Sequence, residues 1–326
     1  MPQAFAEVSM GSDEYPVADI SSIDDNLITD VAFTEVEHSI EPESFDTKAR
    51  PRESIELPRA EPTATGLARV VTVTNQKGGV GKTTSVINIA AHVAMRGGRV
   101  LVVDCDAQGN CASGLGIDKS RVNITTRDVV LTPAMATQAR HATAVDGLHL
   151  IVGDRNLIGL EEALASQLGR EGRLSEALEP LKPHYDLILI DTAPSLSIVS
   201  INALTASDAV LIPVQTEYLA LEGVALLTGT LNEVRRLLNP RLGVDGVIMT
   251  MHAPTLLNTQ VAGHLREVFG DLVIEPAIRR NIRLAESPSQ GVPIQFHAPQ
   301  SHGGQDYAAL ATELEALWFP GGLRNE

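Results

Sequence analysis

The sequence predicts an α/β fold in which a doubly wound, mostly parallel sheet is covered by helices on both faces. From residue 69 onward, short runs rich in Val, Ile and Leu alternate with longer segments of helical character. Strands that are apolar throughout, rather than alternately apolar and polar, are typical of parallel sheets buried on both faces. Hydrophobic residues make up 44% of the chain and aromatic residues 3%, so aliphatic side chains must build most of the core.

The predicted strands and helices alternate along one chain, without an internal repeat or a second core between them. The most apolar strand is YDLILIDTAP. The predicted strands are RVVTVTN from residue 69, RVLVVDCD at 99–106, and then 148–153, 185–194, 209–215, 244–251 and 272–278. The predicted helices are TTSVINIAAHVAMRGG from residue 83, and then 159–179, 197–206, 219–238, 258–269 and about 303–318.

The first 66 residues differ from the rest in composition. They carry 15 acidic and 4 basic residues, a net charge of −11 out of −16 for the whole chain. No helical stripe persists, and the segment ends in the proline-rich PRESIELPRAEPTATG. We therefore predict a disordered acidic tail over 1–66 and an α/β domain over 67–326. A solvated tail without a specific function and a partner-binding or autoinhibitory tail both stay open.

Composition also limits the class of protein. Two cysteines, Cys105 and Cys111, are too few for a disulfide scaffold. The first residues lack a basic start and an apolar run, and no stretch approaches the roughly 18 apolar residues of a membrane helix. A cytoplasmic protein is the simplest interpretation. The negative charge argues against general adhesion to nucleic acid, although the domain alone leaves room for a local basic patch.

The segment NQKGGVGKTT, residues 75–84, follows a predicted strand and opens a predicted helix. A phosphate-binding loop needs this placement, because backbone N–H groups and the helix N-terminus then point toward the phosphates. Lys82 is expected to contact the β- and γ-phosphates, and the Thr83 hydroxyl to bind Mg²⁺. The pattern departs from GxxxxGK[ST], because Gln76 replaces the first glycine and a second lysine follows it. The expected nucleotide-binding residues are Lys77, Gly78, Gly79, Val80, Gly81, Lys82, Thr83 and Thr84.

Two further predicted strands end in carboxylates. LILIDTAPS, residues 187–195, is an apolar strand that ends at Asp191, and VVDCDAQGN, residues 102–110, carries Asp104 and Asp106. Mg²⁺ prefers oxygen ligands and retains several waters, so few protein ligands suffice. We expect Asp191 to hold Mg²⁺ through water or the Thr83 hydroxyl. Nucleotide sites in open α/β sheets lie at the carboxyl ends of the strands, where these segments are predicted to meet.

These motifs resemble those of the ParA/MinD superfamily over roughly residues 69–318. KGGVGKTT is similar to its deviant Walker A motif, which implies a P-loop ATPase that uses ATP and Mg²⁺. The resemblance also implies a homodimer in the ATP state, in which Lys77 reaches the partner's nucleotide. VVDCDAQGN is similar to the pattern DxDPQGN, with Ala107 in place of proline. By analogy, Asp106 orients or activates the attacking water beside the catalytic Lys77 and Lys82, and Asp104 supports the Mg²⁺ shell.

Two later segments resemble the ParA/Soj branch, which partitions chromosomes and plasmids. PVQTEYLALEG, residues 213–223, and RRNIRLAESPSQGVPI, residues 279–294, are similar to segments of that branch. The resemblance implies that Asn281 approaches the adenine and that Arg283 contributes to non-specific DNA binding. It also implies a ParB-like activator protein and association with the nucleoid in the ATP state.

The sequence departs from this branch at two places. Arg279 stands where proline is usual, and TMHAPTLLNTQ, residues 250–260, lacks an arginine that often contacts DNA. Nearby arginines that could replace it are Arg266, Arg279 and Arg280.

Three alternative functions share part of this pattern. A membrane-cycling ATPase of the MinD type would need a basic amphipathic C-terminal helix, whereas ALATELEALWFPGGLRNE has acidic neighbours, so no stable membrane association is expected. An iron–sulfur reductase would need cysteines placed to bridge two subunits, and the two present flank a strand end instead. An ATPase that positions a protein cluster would share the same site and differ only in its cargo.

Overall fold

The structure, a computed structural model, describes residues 57–63, 66–217 and 220–323. These residues contain an eight-stranded sheet in the order β3-β4-β2-β5-β1-β6-β7-β8. Every neighbouring pair is parallel except β3 and β4, which are antiparallel at one edge. The strands are β1 (Arg69–Val73), β2 (Val100–Cys105), β3 (Arg140–Ala142), β4 (Leu148–Ile151), β5 (Leu187–Thr192), β6 (Ala209–Gln215), β7 (Gly243–Thr250) and β8 (Val273–Ile274).

Helices connect the strands and cover the sheet. A search of the described part of the chain finds none with the length and hydropathy that a bilayer span requires. The α-helices are α1 (Lys82–Met95), α2 (Asn110–Gly114), α3 (Thr126–Leu131), α4 (Leu160–Leu164), α5 (Arg173–Leu178), α6 (Ile198–Ala206), α7 (Ala220–Leu237), α8 (Leu256–Phe269), α9 (Ile282–Glu286), α10 (Ile294–His297) and α11 (His302–Trp318). Short 3₁₀ turns lie at Lys119–Arg121, Pro133–Met135, Arg155–Gly159, Arg170–Gly172, Lys182–His184, Gly270–Leu272 and Ser287–Gln290.

The strand β5 shows why the sheet is apolar on both faces. Leu187 and Leu189 point into a cluster with buried residues of α1 and α11. Ile188 and Ile190 point the other way, into a cluster with residues of α3, α4, α5 and α6. Alternate side chains of a strand lie on opposite faces, so a strand covered on both sides must be apolar throughout. The predicted doubly wound fold is therefore confirmed.

Two predicted elements differ in extent from the structure. The helix predicted over 159–179 is two short helices, α4 and α5, with glycines between them; Gly169 has φ 66°, which interrupts a right-handed helix. The strand predicted over 272–278 is shortened to β8, and Pro276, which has no N–H for a sheet ladder, follows it. The antiparallel edge strand β3 was not predicted at all.

The predicted boundary of the acidic tail also needs correction. Residues 57–63 lie against the sheet: Leu57 is buried, and Arg59 forms a parallel bridge with Val244 at the start of β7. The Arg69 side chain donates to the carbonyl of Glu61 and the hydroxyl of Thr63. This segment therefore belongs with the domain rather than with the tail. Residues 1–56, the rest of the predicted tail, lie outside the described residues.

The sheet topology brings the predicted site residues to one edge. β1 lies between β5 and β6, and β2 lies on the other side of β5. The strands β1, β2, β5, β6 and β7 run in the same direction, so their carboxyl ends face the same way. The loop after β1, the acids at the end of β2 and the acid at the end of β5 therefore converge, as expected for an open α/β sheet.

Candidate nucleotide-binding and hydrolysis site

The loop between β1 and α1 has the backbone of a phosphate cradle. Gly79 and Gly81 have φ of 75° and 88°, a left-handed conformation that residues with a Cβ rarely adopt. Gly81 is the N-cap of α1, and no side chain caps this helix end. The first N–H groups of α1 are therefore open to an anion. No atom lies within 4 Å of where a Cβ would stand at Gly78 or Gly79, so the cradle is open in front of the loop.

Hydrogen bonds from neighbouring strands hold this loop in place. The Asn75 side chain donates to the carbonyl of Pro213 in β6 (2.7 Å) and accepts from the backbone N–H of Lys77 (2.9 Å). The Thr250 hydroxyl, at the end of β7, donates to the carbonyl of Val80 (2.9 Å). The phosphate loop is thus attached to two strands besides the one it follows.

Lys82 begins α1 and is almost completely buried. Its ammonium group donates to the carbonyl of Lys77 (3.2 Å), which bends the side chain back over the loop. Burial lowers the pKa of Lys82, while the carboxylates of Asp191 and Asp106 act in the opposite direction. A cation is therefore held between the phosphate loop and the two acidic strand ends.

Thr83 and Asp191 form the candidate metal centre. The Thr83 hydroxyl donates to Asp191 Oδ2 (2.6 Å), and these residues are 108 positions apart in sequence. Asp191 is fully buried, and its Oδ1 has no hydrogen-bond partner among the described residues. Burial raises the pKa of Asp191 to about 6, against the opposing effect of the Thr83 hydroxyl. A buried carboxylate with an unpartnered oxygen beside a hydroxyl suits a hard divalent cation.

Asp104 shapes the acidic loop that follows β2. Its Oδ1 accepts the N–H of Asp106 (3.0 Å) and its Oδ2 accepts the N–H of Cys111 (3.1 Å). Burial and the nearby Asp191 raise the pKa of Asp104 to about 8. A cation beside this pair would favour the ionised carboxylates. The contacts show a positioning role for Asp104, and its part in the Mg²⁺ shell stays a prediction.

Asp106 is the most accessible of the three acids. It is partly exposed, and its Oδ1 accepts the N–H of Gln108 (2.9 Å). Its Oδ2 makes no hydrogen bond within the described part of the chain. Since Asp106 also acts on the pKa of Lys82, its carboxylate lies near the place where the terminal phosphate is expected. The geometry therefore suits a group that orients water.

Lys77, the second lysine of the loop, pairs with a residue outside this centre. Its Nζ pairs with Glu217 Oε2 (3.0 Å), and the two side chains are 37% and 47% exposed. Exposed ion pairs of this kind contribute little stability, about 0–1 kcal/mol. Lys77 is therefore free to exchange this partner for another at low cost.

A pocket of about 420 Å³ adjoins the loop on the other side of α1. Thr84, Asn281 and Tyr307 are among the residues that line it. Asn281 is the N-cap of α9, where its Oδ1 accepts the N–H of Arg283 (2.8 Å). The structure thus places the predicted adenine contact beside the phosphate loop.

Arg283 stands apart from the other predicted site residues. It lies on the exposed surface of α9 and pairs with Glu286 (2.8 Å) one turn later.

Cys105 and Cys111 are both buried, and burial raises the pKa of each thiol. Cys105 packs within the core, whereas the Cys111 thiol donates to Asp191 Oδ2 (3.5 Å) and so lies beside the candidate metal centre.

Several residues that form the site were not predicted from the sequence. Thr126 donates to the carbonyl of Asp104 (2.7 Å), and Glu217 pairs with Lys77. Gly153 packs on the acidic loop: a Cβ there would lie 2.5 Å from the carbonyl oxygen of Asp104 and 2.7 Å from that of Asp106. A glycine that ends a predicted strand next to the acidic strand was the available signal, since such glycines mark a close approach of backbone.

Gly153→Ala is expected to impair hydrolysis without removing any functional group. The added methyl would push against backbone atoms of the acidic loop, which costs about 1–3 kcal/mol and displaces Asp106. We expect a lower melting temperature and slower ATP hydrolysis. Gly159→Ala is the matched control, because a Cβ at Gly159 meets no atom within 4 Å. Equal hydrolysis rates for the two variants would contradict the close packing described.

Comparison with known proteins finds relatives over most of this chain. A family model described as an AAA domain matches residues 68–244. The sporulation initiation inhibitor protein Soj of Bacillus subtilis is 45% identical over 251 residues, which are 77% of this chain and 99% of Soj. The chromosome partitioning protein ParA of Caulobacter vibrioides is 43% identical over 249 residues, 76% of this chain and 93% of ParA.

A solved structure has a similar fold. It is described as cobyrinic acid a,c-diamide synthase from Mycobacterium smegmatis with a bound ATP analogue and magnesium. It is 31% identical, has a TM-score of 0.68, and covers 79% of this chain and 100% of its own. At the identity seen with Soj and ParA, over most of each chain, the protein belongs to the ParA/Soj family of partitioning ATPases.

Proposed function

We propose that this protein binds ATP with Mg²⁺, closes as a homodimer, binds DNA without sequence specificity, and hydrolyses ATP in response to a ParB-like partner. The observation that carries this proposal is the convergence of Lys82, the Thr83–Asp191 pair and Asp106 at one edge of the sheet. The three groups supply a phosphate cation, a metal centre and a water-orienting carboxylate, which are the parts that phosphoryl transfer to water needs.

The loop and the pocket divide the recognition of ATP between them. The N–H groups of the glycine loop and the N-terminus of α1 would hold the phosphates, with Lys82 on the β- and γ-phosphates. The pocket lined by Thr84 and Asn281 would hold the base. Thr83 and Asp191 would bind Mg²⁺, which when present offsets the negative charge of the phosphates. Asp104 would support this centre from behind.

Hydrolysis would then depend on two side chains with distinct tasks. The Lys82 ammonium would stabilise negative charge that develops on the transferred phosphoryl group. Asp106 would accept a hydrogen bond from the attacking water through its unpartnered oxygen and so orient it. A carboxylate on a short loop is well placed for this, because Asp104 and Thr126 hold the backbone of that loop.

Dimer closure is proposed to bring Lys77 into a second active site. Its side chain is partly exposed and, among the residues that the structure describes, pairs only with the exposed Glu217. A cation supplied by a partner subunit can stabilise the transferring phosphoryl group only after the two subunits close. Hydrolysis would thereby be coupled to assembly, and the ATP and ADP states would differ in oligomeric form.

DNA binding is proposed to use the surface around α9. Arg283 is exposed there, and its ion pair with Glu286 is also exposed. Of the arginines considered as replacements, Arg266 pairs with Glu275 and Arg279 pairs with Asp306. Arg280 makes no ion pair within the described residues and is exposed. Contacts of arginine with phosphates would be salt-dependent and independent of sequence.

Arg283→Glu tests the DNA surface. We expect unchanged ATP affinity, because Arg283 lies outside the nucleotide pocket lining, and a loss of non-specific DNA binding in the ATP state. The reason is that a repulsive carboxylate replaces a phosphate contact. Binding is measured by anisotropy of a labelled duplex. Arg241→Glu, at the opposite end of the sheet before β7, is the matched control. DNA binding retained by Arg283→Glu would show that another surface carries it.

The proposals for the cargo and for the partner protein rest on similarity to known proteins alone. The relatives Soj and ParA are named for sporulation control and chromosome partitioning, so chromosome or plasmid segregation and nucleoid association are proposed here. The alternative is an ATPase that positions a protein cluster or cycles on a membrane. Against the membrane form, Leu314 and Trp318 of α11 are buried on the core, and the exposed Leu317 lies one turn after the exposed, acidic Glu313.

A further inference from the structure

Asp306, on α11, is a buried carboxylate whose hydrogen-bond partners in the described part of the chain all belong to Arg279. It is 5% exposed. It accepts the backbone N–H of Arg279 (3.0 Å). From the side chain of the same residue it accepts Nε–H at both carboxylate oxygens (2.9 and 3.2 Å) and Nη2–H at one (2.6 Å). The Arg279 side chain is 43% exposed, so one end of the pair is in solvent and the other is inside the protein. Bidentate pairs of arginine with carboxylate are strong and directional.

The segment that Asp306 holds is one wall of the base pocket. Residues 278–281 all line that pocket, whereas Asp306 does not. On the side of β7, backbone hydrogen bonds join Ile278 to Met249 and to His252, and Arg280 to His252. On the other side, the contacts of Asp306 with Arg279 attach the same segment to α11. The wall therefore lies between a strand end and a helix, and the Asp306–Arg279 pair is a charged contact between the wall and that helix.

The rest of α11 supports the wall by close packing. A Cβ on Gly303 would lie 2.8 Å from the Leu284 side chain and 3.3 Å from the Cβ of Asn281, so only glycine permits this approach. Tyr307, next to Asp306, lines the pocket and hydrogen-bonds Ser85 of α1 (3.0 Å). The N-terminal turns of α11 thus connect the pocket wall to the helix that carries the phosphate loop.

We propose that Asp306 is a positioning residue for the base of the nucleotide, acting through Arg279 on the 278–281 segment. This inference rests on the proposed function, because it takes the pocket beside the phosphate loop as the base site. The phosphates are bound by a different part of the chain, the loop at 77–84. Loss of the Asp306–Arg279 pair therefore weakens contacts to the base and leaves contacts to the phosphates intact.

The test compares two ligands that differ only in whether they carry a nucleoside. Dissociation constants for ATP and for inorganic tripolyphosphate, each with Mg²⁺, are measured by calorimetry on the full chain. Asp306→Asn is expected to weaken ATP about tenfold, the scale of a hydrogen bond to a charged group. Its affinity for tripolyphosphate is expected to stay within about twofold of the wild type, because no phosphate-loop contact changes.

Two controls separate positioning from a general loss of structure. Glu315→Gln breaks the other ion pair of α11, with Arg96, which lies at the far end of the helix from the pocket; it should leave both affinities unchanged. Arg279→Ala removes the exposed partner of the same ion pair. It therefore tests the proposal if Asp306→Asn folds poorly. The double variant Arg279→Ala/Asp306→Asn should lose little more ATP affinity than Arg279→Ala alone, since both substitutions remove the same side-chain ion pair and the amide oxygen of the new asparagine can still accept the backbone N–H of residue 279.

Each outcome has one meaning. A selective loss of ATP affinity, with the non-additive double variant, supports the proposal. Equal losses for ATP and tripolyphosphate would mean that Asp306 serves general stability, and unchanged ATP affinity would mean that it has no role in binding; either overturns the proposal. If the wild-type protein binds neither ligand, the proposed function itself fails, which is a different result from a failure confined to Asp306→Asn.

Discussion

Lys82→Ala should abolish productive nucleotide binding, with ATP affinity weaker by about a hundredfold or more, the cost of truncating one partner of a buried charge contact. Lys82 is the buried cation of the phosphate loop, and it lies near two carboxylates that would otherwise repel the phosphates. Without Lys82, the attraction between its ammonium group and the phosphates is lost, and the repulsion between the carboxylates and the phosphates remains. The change is measured as the dissociation constant for ATP with Mg²⁺.

The matched control for this variant is Lys182→Ala. Lys182 is a lysine that pairs with Glu179 (2.8 Å), but it follows α5 and its carbonyl accepts the N–H of Ala68, before β1. It therefore lies at the end of the sheet opposite the phosphate loop. Nucleotide affinity should be unchanged in Lys182→Ala. Normal ATP affinity in Lys82→Ala would mean that the loop at 75–84 is not the phosphate site.

Asp106→Ala should bind ATP and form the ATP-state dimer but turn over about 10²–10⁴-fold more slowly, the usual effect of losing a general acid–base or water-orienting group. Binding and turnover should separate because the Asp106 side chain accepts, among the described residues, only the N–H of Gln108. The backbone bonds of Asp106 are kept in the alanine variant, so the loop, Lys82 and Asp191 stay in place. Steady-state phosphate release measures turnover, and sedimentation with ATP measures the dimer.

Asp146→Ala serves as the control for this variant, because Asp146 is an exposed acid in the turn before β4. It should match the wild type in both assays. Turnover by Asp106→Ala at the wild-type rate would remove Asp106 from the catalytic role. Loss of ATP binding would instead show that this carboxylate supports the nucleotide site itself.

The sequence was sufficient for the parts of the site that follow directly from local patterns. The glycine loop between a strand and a helix, and the acids at two strand ends, could be placed because parallel strands share one carboxyl edge. The structure adds contacts between residues far apart in sequence, such as the Thr83 hydroxyl on Asp191 and the pair of Lys77 with Glu217, 140 positions away. The spacing of apolar residues along the sequence predicts helices and strands, but it does not predict which distant side chains pair.

The arginines show most clearly where sequence reasoning ends. Arg279 could be regarded from the sequence as a free cation available to DNA. In the structure it is committed to Asp306, 27 residues later, because α11 folds back over the pocket wall. Likewise, Gly153 could be seen as the end of a strand, but its contact with the acidic loop depends on the pairing of β4 with β2. Composition and spacing describe single elements, whereas these roles arise from how elements pack.

The most direct test of the account is the wild-type arm of the DNA experiment described above: binding of the full chain to a non-specific duplex, with ATP and with ADP, over a salt series. The account predicts binding with ATP that falls steeply as salt rises, as counterion release requires, and much weaker binding with ADP. Equal binding with both nucleotides, or no binding in either state while ATP still drives dimerisation, would contradict it and favour an ATPase that positions a protein or membrane cargo.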